Sequence, residues 1–316
     1  TRVRSSAASD VYKRQVNCAG AAAGRSSRSE PQARYGAPVP DAERTDVVVV
    51  GAGLAGLVVV LELLENSELR ILLVDRCAPH EVGGLAREAF GGMFMVETRE
   101  QKLSRIPDSV ELALEDWFRV ADFDDTDEWP RRWAEEYVSR ARDEVGGWLK
   151  SYGVRFFPVV NWAERGVYGD GNSVPRFHLT WGTGQALVDS VWGAIQRHPG
   201  RDRLEVRFGT RVTKLRHRRS AVRGCQIVPE AGGSDATEVA ADRIVIAAGG
   251  VGGNLDIVRR EWPAELGAPP ETILMGSHYY ADGAMHDEVG RLGGNVTHIS
   301  RTVSYTHLTL PTILRV

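Results

Sequence analysis

Asp46-Val47-Val48-Val49-Val50-Gly51-Ala52-Gly53-Leu54-Ala55-Gly56 is the stretch whose reading decides the fold. An apolar, β-branched run meets a glycine turn. An apolar segment with helical character follows from Leu57 to Leu64, then a second strand-like run, Leu69 to Val74, ends in Asp75. Strand, glycine turn, helix and strand make a βαβ unit. Each glycine has a physical reason: Gly51 permits the tight turn off the strand, Gly53 lets a pyrophosphate approach a backbone without a Cβ, and Gly56 lets the helix pack close to the sheet. The helix start at Leu54 and Ala55 offers free N–H groups and the positive end of the helix dipole. Asp75, followed by Arg76, lies 24 residues past Gly51, where a carboxylate accepts hydrogen bonds from ribose hydroxyls. The unit reads as a dinucleotide site, open at this point to nicotinamide or flavin.

The two ends of the chain read differently. A single DNA string encodes residues 5–15, SSAASDVYKRQ, and its reverse complement, read two bases in, encodes residues 303–312, VSYTHLTLPT. We therefore expect residues 1–15 and 303–316 to be adapter-derived. Residues 16–44 are rich in Ala, Gly, Ser, Arg and Pro without apolar periodicity, which predicts disorder or non-coding DNA read in frame.

Over the whole chain, an apolar share of 42% supports a real core, and the length suits one large or two ordinary domains. A net charge of −3 gives no reason to expect a nucleic-acid partner. No run reaches the ~18 apolar residues of a membrane span. Cys18, Cys77 and Cys225 are scattered, without metal or disulfide spacing, which suits a reduced, cytoplasmic compartment.

Further along, Gly83-Gly84 and Gly91-Gly92 punctuate a loop, and Asp108-Ser109-Val110-Glu111 has capping-box form ahead of a helix with Val110, Leu114, Trp117 and Phe118 on one face. A second helix is predicted over 131–152 with Trp133, Tyr137, Ala141, Trp148 and Leu149 inward, then a short strand over 154–160 and a helix from Gln185 to about Gln196. The runs 204–208, 211–215, 221–228 and 237–240 read as an antiparallel meander, with the basic run 214–219 as its solvated hairpin turn. A buried strand, 243–248, then enters a second glycine turn, Gly249-Gly250-Val251-Gly252-Gly253.

Four blocks carry a family resemblance: VVVVGAGLAGL (47–57) with Asp75, GGLAREAFGGMFMV (83–96), NSVPRFHLTWGTG (172–184), and DRIVIAAGGVGGN (242–254) followed by Ala281-Asp282-Gly283. Together they resemble the FAD-dependent oxidoreductases of the fumarate reductase, succinate dehydrogenase and 3-ketosteroid dehydrogenase superfamily. The resemblance implies an α/β fold: a Rossmann-like FAD-binding domain, parallel sheet plus antiparallel β-meander, over 45–100 and 185–302, with an inserted helical and loop region over 101–184. It implies that Gly51, Gly53, Leu54, Ala55 and Gly56 hold the pyrophosphate, and that Asp75 and Arg76 serve the adenosine end. Gly83, Gly84, Gly91 and Gly92 would run along the flavin side. Val212 would contact adenine through its backbone, and Ala248, Gly249 and Gly250 would close over the cofactor. Leu85 stands where some relatives carry a flavin-linking His, so the FAD is expected to be non-covalent. The implied reaction moves a hydride between flavin N5 and a CH–CH bond beside a carbonyl or carboxylate of a small-molecule substrate, with an electron donor or acceptor of unspecified identity. Arg176 and His178 are the best visible polar pair for substrate polarisation or proton transfer; the alternative is that they brace the loop. In the family, much of the acid/base apparatus follows the Ala-Asp-Gly block, so a fragment with an incomplete catalytic set is expected.

Three other readings stand beside this one. A nicotinamide dehydrogenase predicts a continuous βαβ series, against which the meander argues. An amine oxidase or monooxygenase shares the first fingerprint but lacks the paired glycine blocks. A non-catalytic FAD-binding fragment is the last.

Overall fold

The computed structural model describes residues 43–121, 123–162, 171–218, 221–233 and 235–300. Strand β1 (Glu43–Val50) leads through the glycine turn into helix α1 (Leu54–Asn66), and β2 (Ile71–Val74) returns beside β1. A short helix α2 (Leu85–Glu88), strand β3 (Gly92–Phe94) and helices α3 (Arg99–Leu103), α4 (Val110–Ala121) and α5 (Glu128–Arg140) follow. Wide π-type turns over Ala141–Gly147 carry α5 into α6 (Trp148–Ser151). Then come β4 (Phe177–Leu179), α7 (Thr183–Arg197), β5 (Leu204–Arg207), β6 (Thr210–Arg218), β7 (Ala221–Pro229), β8 (Thr237–Ile246), α8 (Leu255–Arg260) and α9 (Ala284–Arg291).

Six strands form one sheet in the order β5-β2-β1-β8-β7-β6. The first four are parallel, and β8-β7-β6 continue antiparallel. Burial on both faces explains the unbroken apolar runs of β1 and β2. Val47, Val49, Ile71 and Leu73 face α1 and α7, where Leu57, Leu61, Val188, Val191 and Ile195 are buried. Val48, Val50, Leu72 and Val74 face the other way, onto Val212, Leu215, Cys225 and Ile227. Each such side chain, fully buried, contributes about 1.5–3 kcal/mol. Met285 from α9 closes this second layer.

The inserted region has its own small core. Val96, Ala113 and Val138 are buried, with Phe94 and Trp117 edge to face at 5.3 Å beside Tyr137. β3 and β4 form a separate antiparallel ribbon, in which Met93 pairs with His178. Among the described residues, no helix is long and apolar enough to cross a membrane.

Several sequence expectations are corrected. Leu204–Arg207 pairs parallel with β2 at the sheet's edge instead of joining the meander. Thr237–Ala240 and the run from Arg243 are one strand, β8, because Glu43–Val50 offers β1 as a single long partner from end to end. That run is not buried: Arg243 is exposed and Ile244 half-buried, while Ile246 is 38% exposed where the strand runs out toward the glycine turn. Lys214–Arg218 is strand, not turn, with Leu215 buried and Arg216 paired to Glu238. Positions 219 and 220 lie outside the described residues. No strand forms over Val154–Val160, where the chain makes single bridges from Phe156 and Asn161 to the β4 region. Trp133 is 54% exposed. The buried residues of α5 are Ala134 and Val138, and Trp133 stands one residue, about 100°, round the helix from Ala134.

Candidate functional site

A cleft of about 440 Å³ opens at the C-terminal ends of β1, β2 and β8. β1 is the point from which the chain's crossovers leave in opposite directions, to β2 on one side and β8 on the other, and such a switch point is where open α/β sheets bind ligands. Gly51, Gly53, Asp75, Arg76, Gly84, Val212, Ala248, Gly249 and Gly250, all named from sequence, line this cleft.

The glycines fall into two groups once a Cβ is built on each. Gly51 has φ +105°, and its Cβ would lie 2.4 Å from the Ala247 carbonyl oxygen; a Cβ on Gly56 would lie 1.8 Å from the Gly51 oxygen. These two are demanded by the protein's own backbone. Gly53 is different. Its φ is −67°, and the nearest atom to its Cβ would be the Gly83 oxygen at 3.9 Å. No protein atom requires glycine there, while a ligand approaching the turn does. Gly53 is also the N-cap of α1 and supplies no side-chain cap, so Leu54 and Ala55 begin an uncapped helix. The first-turn N–H groups of such a helix lack intrahelical partners and favour an anion.

Asp75 completes this end. Its carboxylate accepts from the Ala52 amide at 2.5 Å and the Cys77 amide at 2.7 Å, which locks it against the glycine turn. A carboxylate has about four acceptor positions, so room remains for hydroxyl donors. Burial first, and the Asp75 charge second, push the Cys77 thiol up to about 12. Cys77 is therefore a neutral packing thiol and not a nucleophile. Arg76 donates to Glu230 and Asp282, which keep it charged although burial opposes this. The cleft's far wall is the segment from Ser277 to His286. His278 and Tyr280, just ahead of the Ala281-Asp282-Gly283 block, line the cleft there and were not among the sequence candidates. The signal was the Ala-Asp-Gly turn, which the structure ties to the second glycine turn through the Gly253 amide on the Ala281 carbonyl at 2.8 Å.

The remaining sequence candidates lie elsewhere. Gly83 joins Gly53 in a parallel bridge, its amide donates to Ala52, and a Cβ on it would strike Val188 at 2.5 Å. Gly91 and Gly92 are pressed against Thr180 and the Phe177 ring, at 2.1 and 1.8 Å from a built Cβ, which gives both a packing reason.

Arg176 and His178 are fully buried and do not line the cleft. The Arg176 guanidinium donates to Asp108 at 2.8 Å, Asp116 at 2.5 Å and Asn172 at 3.0 Å. His178 has Thr98 Oγ1 2.8 Å from Nε2 and the Arg176 carbonyl 2.8 Å from Nδ1. Asp116 also accepts from the Ser173 amide and hydroxyl, and from Arg119. Burial pushes the Asp116 carboxyl up, but these donors outweigh it and hold it at about 2. Burial lowers the His178 pKa. Ser109, not Asp108, caps α4 by accepting from the Leu112 amide, which leaves Asp108 to Arg176.

A family model described as an FAD binding domain matches residues 46–309. A KsdD-like steroid dehydrogenase of Mycolicibacterium smegmatis is 42% identical over 279 residues, covering 83% of this chain and 50% of that protein. One from Mycobacterium tuberculosis is 43% identical, covering 83% and 48%. The chain thus spans about half the length of the curated relatives it matches. Among solved structures, a flavocytochrome c3 fumarate reductase superposes with a TM-score of 0.63 at 23% identity, over 80% of this chain and 41% of that one. The 3-ketosteroid delta1-dehydrogenase from Sterolibacterium denitrificans gives 0.61 at 14% identity, over 81% and 56%. These two likenesses show the fold, and it is the parallel sheet with its antiparallel extension described above. The free space at Gly53, the uncapped start of α1 and the anchored Asp75 fit a dinucleotide, FAD is the cofactor, and the chain belongs to the FAD-binding domain family.

Proposed function

We propose that this chain is the FAD-holding part of a dehydrogenase or reductase that acts on a CH–CH bond beside a carbonyl, with a steroid-like substrate as the first class to test. The observation that carries the cofactor side is Gly53, whose missing side chain serves nothing in the protein and leaves the cleft open. The names of the 42–43% identical relatives support the substrate class. Bound FAD would supply hydride acceptance or donation at its flavin ring. The chain's own residues would do the holding. Gly51 and Gly56 set the turn, Gly53 gives the phosphates access to the amides of Leu54 and Ala55, and Asp75 takes ribose hydroxyls. Gly84, Gly249 and Gly250 leave backbone, not side chain, against the cofactor.

In this reading the FAD is held without a covalent bond, Leu85 standing at the position considered for linkage. Arg176 and His178 are structural: their polar atoms already have protein partners, and they fix the β3–β4 ribbon to α3 and α4. Substrate polarisation then falls to groups outside this network. A cytoplasmic location is part of the proposal and rests on the scattered cysteines.

The test is direct. Purified protein should carry flavin absorbance, and acid should release the flavin intact. Protein that takes up no FAD sinks the reading. Steroid enones and fumarate-like acids, assayed with an artificial electron acceptor or donor, then separate a ketosteroid-type dehydrogenase from a fumarate-type reductase.

A further inference from the structure

Three segments far apart in sequence meet beside Asp75, and one side chain joins them. Arg76 leaves the end of β2 with its side chain 24% exposed. Its Nε and Nη2 donate to the two Glu230 oxygens, each at 3.0 Å, and Nη1 donates to Asp282 at 2.6 Å. The guanidinium carbon, Cζ, stands 4.1 Å from the centre of the Tyr280 ring. Glu230 follows β7 directly, while Tyr280 and Asp282 belong to the wall that faces the glycine turn. That wall is held from its other side by the Gly253 amide on Ala281 at 2.8 Å and by Asn254 Nδ2 on the Asp282 carbonyl at 3.3 Å.

The charge count is informative. One guanidinium sits between two carboxylates, so the three groups together carry −1. An arginine placed to ligate a pyrophosphate gains most when its charge is left uncancelled. Here the charge is more than cancelled, and the planar fork is matched to Glu230 in the two-pronged geometry that favours a fixed position. We infer that Arg76 is a positioning residue: it ties the Tyr280–Asp282 wall to β2 and the end of β7, and so slows escape of the cofactor, instead of ligating its phosphates.

This inference rests on FAD as the occupant of the cleft. The experiment loads the full chain with FAD and follows the rise of flavin fluorescence on dilution for wild type, Arg76→Met, Asp282→Asn, Glu230→Gln and the double variant Arg76→Met/Asp282→Asn. Asp282→Asn and Glu230→Gln are nearly isosteric, and a thermal melt of each variant verifies that it is folded. A tie predicts that Arg76→Met and Asp282→Asn each speed release about tenfold, and that the double variant is no faster than either single one. A phosphate ligand predicts the opposite pattern: Arg76→Met speeds release, while Asp282→Asn and Glu230→Gln slow it or leave it alone by freeing the cation. That pattern, or additive effects, overturns the inference, as does unchanged release in every variant when the wild type holds FAD. A wild type that binds no FAD removes the cofactor reading and this inference with it.

Discussion

The cleft at the ends of β1, β2 and β8 and the network around Arg176 are both polar, both glycine-flanked, and opposite in character. In the network, polar atoms are matched to protein partners: Arg176 takes Asp108, Asp116 and Asn172, and His178 takes Thr98 and a carbonyl. In the cleft, a helix starts without a cap and Gly53 leaves space that no protein atom needs. Buried polar groups are normally satisfied, so a region that satisfies itself is built for stability. A region that leaves donors and space open is built for a ligand.

Gly56 tests the shared scaffold, because both the fold and the cleft rest on it. A Cβ at that position would lie 1.8 Å from the Gly51 oxygen, backbone against backbone, with no flexible group to yield. Gly56→Val should cost at least about 3 kcal/mol in urea unfolding, the upper range for overpacking. A loss below about 1 kcal/mol would mean that α1 does not pack on the turn as described.

Arg176→Met attacks the self-satisfied region alone. It leaves the side chain of Asp108, about 1% exposed, without its cation, and leaves Asp116, equally buried, with Arg119 alone. Removing one partner of a buried pair costs about 3–5 kcal/mol, and the melting temperature should fall accordingly. FAD affinity of the folded fraction should stay at the wild-type value. A variant with normal stability and a lost reaction would return Arg176 to catalysis.

Acid gives a smaller and reversible version of the same test. Asp116 sits at about 2 in the folded protein against an ordinary 3.8, so its stabilisation is complete above pH ~5 and lost progressively as pH falls through 3.8 toward 2. The shift corresponds to about 2 kcal/mol. The stability gap between wild type and Asp116→Asn should be flat from about pH 6 to 5 and narrow below. His178, whose pKa burial lowers, adds a milder loss as pH falls below 6.5, because the unfolded chain then takes up the proton more readily. A gap that does not narrow below pH 4 would break the account of Asp116.

How much of this was legible in sequence follows the range of the contacts. The β1–α1–β2 unit was legible because its signals are local: two runs buried on both faces, a turn, and an acid at a fixed distance. β3 and β4 were not, since each is three residues long and has meaning only through the other, with Phe177 covering Gly92. The ion pairs of Arg176 were not legible in sequence, because its acids lie 68 and 60 residues away. The meander's edges were misread for the same reason: Leu204–Arg207 has the pattern of its neighbours and differs only in pairing with β2. The wide turns over Ala141–Gly147 leave no periodic mark at all.

The smallest expected change in stability is also the sharpest test of the contrast. Gly53→Ala adds one methyl at φ −67°, a conformation open to alanine, with its nearest neighbour 3.9 Å away. Unfolding stability without ligand should fall by no more than about 1 kcal/mol, the cost of alanine at a helix N-cap. FAD affinity should fall about tenfold or more, because the methyl stands where the phosphates must approach the amides. The glycine turns at Gly51 and Gly56 would show both losses together, since there the protein and the ligand need the same atom to be absent. Only a position with no structural reason to be glycine can lose the ligand and keep the fold. If Gly53→Ala binds FAD as the wild type does, the space beside it is not the ligand's, and the cleft loses the feature that sets it apart from the Arg176 network.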